Sequence, residues 1–119
     1  MSEFFNINML YAILLFILGH TLAWYTHNLQ FVNDFWKDKV VLPTIIFGIP
    51  CILVFWWATK FAMDAVPELW TARFVAAVMS YITFPIMTWY YLGESMFTVK
   101  TMSCVFLAFC ILLIQIFVK

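Results

Sequence analysis

This sequence predicts an all-α integral membrane fold: four transmembrane helices forming one antiparallel bundle across residues 1–119. Three observations carry that expectation. Hydrophobic residues make up 66% of the chain and charged residues 10%, too little polar surface to cover the core of a water-soluble domain. The apolar residues fall in four runs, each near the roughly 20 residues that cross a hydrocarbon core about 30 Å thick. The breaks between runs are short. Four spans use about 80 residues, so the single transmembrane domain is expected to leave no room for a soluble one.

The first span is expected over about Ile7 to Tyr25. Leu10 to Leu18 is continuously apolar, then Gly19, His20 and Thr21 interrupt it. Trp24 and Tyr25 read as an interfacial aromatic belt. A cleaved signal peptide is not expected, because no Lys or Arg precedes the apolar run and no small-x-small cleavage site follows it. The first loop interleaves Asp34, Lys37, Asp38 and Lys39 with Phe31, Phe35 and Trp36, a pattern suited to a short amphipathic turn along the headgroups.

The second span is expected over about Val41 to Phe61. Pro43 suits a first turn, where its missing N–H costs little. Gly48 and Pro50 in mid-span predict a kink. Ala65, Val66 and Pro67 break the chain. The third span is expected over about Glu68 to Leu92. Glu68 complements the positive end of the helix, and Arg73 lies one turn in, able to snorkel toward the headgroups. Pro85 predicts a second kink. Trp89, Tyr90 and Tyr91 read as another belt, and Gly93 as a helix-ending residue. The fourth span, about Thr98 to Val118 and followed by Lys119, makes a hairpin with the third.

Four spans put both ends of the chain on one side. Lys60, Arg73 and Lys119 share that side, and Lys37, Lys39 and Lys100 share the other. Orientation normally follows an excess of these residues in cytoplasmic loops. Here they balance, which leaves one fixed orientation and dual insertion both open. Dual insertion would allow an antiparallel homodimer.

The order of elements resembles the four-helix members of the drug/metabolite transporter superfamily, the small multidrug resistance proteins among them. Three stretches carry the likeness: Ala12-Ile13-Leu14 followed by Gly19-His20-Thr21-Leu22, then Val66-Pro67, then Trp89-Tyr90-Tyr91-Leu92-Gly93-Glu94. Leu22-Ala23-Trp24-Tyr25-Thr26-His27 is similar to the Phe-Ala-Trp-Tyr-Gly-His ending of the first helix in a subgroup with no assigned activity, which also carries a proline where Pro85 stands. The resemblance implies the four-helix fold and a homodimer. It also shows departures. Phe16 occupies the position of the multidrug family's membrane-embedded glutamate, Ala76 that of a tryptophan, and Val78-Met79-Ser80 that of a glycine-rich bend. The glycines of the fourth-helix dimer contact fall at Ser103 and Cys110, which are also small. Proton-coupled export of drug cations therefore does not follow from the likeness.

An ionisable residue inside a span is a candidate functional group because its burial is expensive. His20 is that residue, about 6 Å from the centre of the expected first helix. A neutral histidine bonded to a neighbouring helix, a substrate or proton site, and a haem ligand are the readings open to it. His27 is expected at the interface, solvated. Tyr81, Trp56 and Thr83 are the candidate lining of a substrate chamber beside His20, and the kinks at Pro50 and Pro85 either mark that chamber or only shape the packing. Gly19 with Ala23, and Ser103 with Cys110, present small faces suited to close helix or dimer packing. Gln115 is expected to bond across helices. Cys51, Cys104 and Cys110 lack metal or disulfide spacing. No metal, cofactor or enzymatic motif is expected, since no Ser-His-Asp set, phosphate loop or paired carboxylates occur. Six Lys and Arg against six Asp and Glu, with no basic cluster, do not suit nucleic acid.

The expected function is a small transporter of a small molecule, homodimeric, among lipids of a prokaryotic cytoplasmic (inner) membrane. A non-transporting subunit of a larger complex and a lipid-binding or flipping protein are the alternatives.

Overall fold

Asn6 starts the first helix. Its side-chain oxygen accepts from the backbone N–H groups of Asn8 (2.9 Å) and Met9 (3.1 Å), donors a helix leaves unpaired at its start. In the computed structural model, which describes residues 4–118, this helix, α1, runs Ile7–Asn28 and tightens into a 3₁₀ turn over Leu29–Phe31. α2 covers Val41–Ala65, α3 Leu69–Leu92 and α4 Val99–Phe117. All four are long and apolar enough to cross a membrane, and the described residues contain no strand. This is the make-up of an integral membrane protein. Lys119, expected to close the last span, lies outside the described residues.

The first two helices outrun the expected ends. α1 does not stop at Tyr25, and in its added turn the hydroxyl of Thr26 and the ring N–H of His27 donate back to the carbonyls of Leu22 and Ala23. These bonds satisfy the polar groups of Thr26 and His27 within the helix itself. α2 passes Phe61 and stops at Ala65, before Pro67. Pro50 lacks the N–H that would bond the carbonyl of Ile46. The turn just before it, Thr44–Gly48, is π-helical, a local widening that absorbs such a mismatch. α3 stays helical through Pro85. Gly93 ends α3 in the left-handed conformation (φ 74°), as expected of a residue free of a Cβ clash. Thr98 caps α4 by accepting from the Thr101 N–H at 3.2 Å.

The helices form a thin slab, 48 × 34 × 18 Å. α1 packs on α2 and on α3, and α4 packs chiefly on α3. The in-plane order is therefore α2, α1, α3, α4. Between α1 and α2 the contacts are Asn6 with Ala65, Tyr11 with Phe61, Phe16 with Phe55 and Tyr25 with Phe47. Numbers rise on one helix as they fall on the other. Between α1 and α3 they rise together: His20 with Ala76, Trp24 with Thr88, Tyr25 with Tyr91.

Small residues make the α1–α2 seam. Ala58, Ala62 and Ala65 are buried at the spacing of one helix face. A Cβ on Gly19 would lie 2.6 Å from Cε1 of Phe55, so only glycine fits without displacing that ring. Lipid supplies no hydrophobic force between helices, and close packing of this kind takes its place. The Cys51 thiol donates to the Gly19 carbonyl across the same seam (3.3 Å).

Two sequence expectations are corrected. Trp24 is no belt residue facing lipid. It is 2% exposed, stacks on Tyr91 and donates its indole N–H to the Thr88 hydroxyl at 3.0 Å, and that partner makes its burial tolerable. Gln115 is half-buried on α4, the edge helix, and no hydrogen bond joins it to another helix among the described residues.

Candidate functional site

With its true ends, Ile7–Asn28, α1 centres between Ile17 and Leu18, which moves His20 to about 4 Å from the helix midpoint at 1.5 Å per residue. Two contacts hold its ring. Nε2–H donates to the Ala76 carbonyl of α3 at 2.7 Å, and the ring meets Phe55 of α2 edge-on, centroids 4.8 Å apart. Because a carbonyl only accepts, Nε2 carries the proton. In the neutral ring Nδ1 is then an acceptor, and it has no partner among the described residues. The bonded-histidine reading of the sequence is thus met, with one ring nitrogen to spare.

The recess beside His20 has a volume of about 660 Å³, within the range of small-molecule sites. Each of the helices α1, α2 and α3 lends it an i, i+4 or longer face. α1 gives Phe16 and His20, α2 gives Phe55 and Thr59, and α3 gives Leu69, Ala72, Arg73 and Ala76, with Trp70 at the rim. The Thr59 hydroxyl spends its proton on the Phe55 carbonyl (2.8 Å). The polar groups left to a ligand are His20, Arg73, the Trp70 indole N–H and the Thr59 lone pairs.

A second, smaller recess of about 210 Å³ is lined by His20, Trp24, His27, Ser80 and Phe84 among others. Numbers on α1 and α3 rise together, so the two recesses lie on opposite sides of His20 along the helices. His20 is the residue common to both.

The other sequence candidates do not gather there. Trp56 is 65% exposed and borders a groove on the flank of α2, beyond the ridge of Phe55 and Thr59. Tyr81 is 53% exposed. Thr83 is buried in α3. Neither Tyr81 nor Thr83 lines either recess. Pro50 and Pro85 border neither one. Ala23 borders the smaller recess, while Gly19 serves the α1–α2 seam. Ser103 is exposed on α4 and Cys110 half-buried.

Sequence reasoning passed over Phe55, Thr59, Trp70 and Arg73 as lining. The signal was present in the i, i+4 pairs Phe16–His20, Phe55–Thr59 and Leu69–Arg73. Aromatic residues, at 21% of the chain, were too common to single out Phe55.

Comparisons with protein-family models, with curated proteins and with solved structures find no match.

Proposed function

We propose that this chain is a small membrane transporter of the drug/metabolite transporter type, a four-helix antiparallel bundle that works as a homodimer on a small molecule held beside His20. One observation carries the reading: His20 borders a recess on each side of its own level along α1. Alternating access needs one binding group reachable from each side in turn, and His20 meets that need.

The rising and falling contact registers support the antiparallel bundle. The exposed face of α4, where Ser103 stands beside Leu107 and Ile114, supports a homodimer, because a small residue on a free helix face admits a close partner. The reading carries its own departure from the multidrug family. Phe16, at the position the resemblance assigns to the glutamate, lines the larger recess, so a carboxylate that trades protons for cations has no place in it.

Lipid binding or flipping is the second reading, favoured by the apolar walls of the same recess. A prokaryotic inner membrane is the proposed location.

Flux into proteoliposomes tests the proposal. A solute panel is offered with and without an imposed pH gradient. Saturable flux in the native chain, lost in His20→Ala, is the expected result. Absence of flux for every solute, with another protein persistently co-purifying, would replace the transporter with a subunit.

A further inference from the structure

We infer that the larger recess takes an amphiphile whose head is a carboxylate or phosphate, held by Arg73, and whose apolar body lies against the wall formed by Phe16, Phe55 and Ala76. The inference rests on the proposed binding role of this recess and names its ligand class.

The charge of the lining decides the sign. Arg73 and His20 border the recess, and none of its lining residues is an acid. A cation would meet a fixed like charge there. An anion would meet a guanidinium whose planar fork matches carboxylate and phosphate oxygens.

The position of the charge decides the shape. Arg73 is one turn into α3, which begins at Leu69. The carbonyl bonded by His20 belongs to Ala76, about 4.5 Å deeper at 1.5 Å per residue. Side chains on a helix lean toward its N-terminal end, so the guanidinium sits at the outer end of the recess. Phe16, Phe55 and Ala76 form the deeper wall. A small hydrated ion gains nothing from such walls. A ligand with a charged head and an apolar body satisfies both ends at once.

Trp70 at the rim offers a local probe. The full chain in lipid nanodiscs is titrated with dibromostearate or with the matching dibrominated alcohol, and bromine quenching of the Trp70 fluorescence is taken as the difference from Trp70→Phe. The acid is expected to half-quench at a mole fraction at least about tenfold lower than the alcohol, the factor that 1.4 kcal/mol of charge pairing gives. Arg73→Gln, at an exposed position, is expected to remove the preference, and Arg73→Lys to keep part of it. Competition by dioleoyl phosphatidic acid would assign the anionic head to a membrane lipid. Displacement by laurate alone would assign it to a free single-chain acid. Either supports the inference. Equal quenching by acid and alcohol, still reduced by the recess-filling variant Ala76→Leu, would overturn the anionic class and leave the binding site standing. Equal quenching that Ala76→Leu does not change would overturn both.

Discussion

α1 and α4 are both apolar spans, and α4 is the more apolar of the two. Yet α1 lies inside the slab and α4 at its edge. α1 buries Met9, Ala12, Phe16, Gly19 and Trp24. α4 buries Ala108 and leaves Phe106, Leu107, Phe109 and Leu113 exposed. Hydropathy puts both helices in the membrane and does not rank them within it, because a lipid tail is as good a neighbour for leucine as another helix is. Position is decided by small residues that admit a close partner and by polar side chains that need one. α1 has Gly19 against Phe55, His20 against Ala76 and Trp24 against Thr88. α4 offers one small buried contact and no side-chain bond to another helix among the described residues.

Seven substitutions sharpen that contrast. Phe16→Ala opens a cavity in the inner seam and is expected to destabilise by about 3 kcal/mol, the low end of the soluble range because lipid replaces water as reference. Phe106→Ala on the outer face of α4 is expected to stay within about 0.5 kcal/mol. Unfolding in mixed micelles on titration with a denaturing detergent measures both. Gly19→Ala forces its Cβ onto the Phe55 ring and is expected to lose about 2 kcal/mol in the same assay, whereas Ser103→Ala leaves stability unchanged. Ser103→Trp tests the outer face differently. The fold should survive while the proposed homodimer weakens at least about tenfold, or roughly 1.4 kcal/mol, read by single-molecule photobleaching in nanodiscs. A dimer indifferent to Ser103→Trp would move the interface elsewhere. Trp24→Phe leaves the Thr88 hydroxyl without its donor and is expected to cost about 1 kcal/mol, against none for exposed Trp89→Phe.

Much of this was legible in the residues. The four spans, the Gly93 stop and the break at Val66-Pro67 follow from span length, glycine geometry and proline chemistry, which act locally. The end of α1 was not legible, because the helix continues through the polar residues Thr26, His27 and Asn28, where hydropathy gives no signal. The in-plane order of helices was hidden for the same reason that α1 and α4 look alike in composition. The alanine face Ala58–Ala62–Ala65 could have been read from its spacing. For the site, His20 stood out because an ionisable group in a span needs a reason. Its companions did not, since Tyr81, Trp56 and Thr83 were chosen by chemistry while the lining is set by which faces of three helices converge. The same logic made Trp24 a belt residue until Thr88 supplied its partner.

Ligand-induced stabilisation tests the central claim most directly, that binding occurs beside His20. The purified chain is melted against a panel of metabolites, cations, anionic amphiphiles and lipids at several pH values. A ligand at about 100 times its Kd adds roughly 2.7 kcal/mol to the folded state. The expected result is a raised Tm in the native chain, no shift in His20→Ala and an undiminished shift in Tyr81→Phe. A shift that persists in His20→Ala and disappears in Tyr81→Phe would contradict the account and move the site to the outer face of α3.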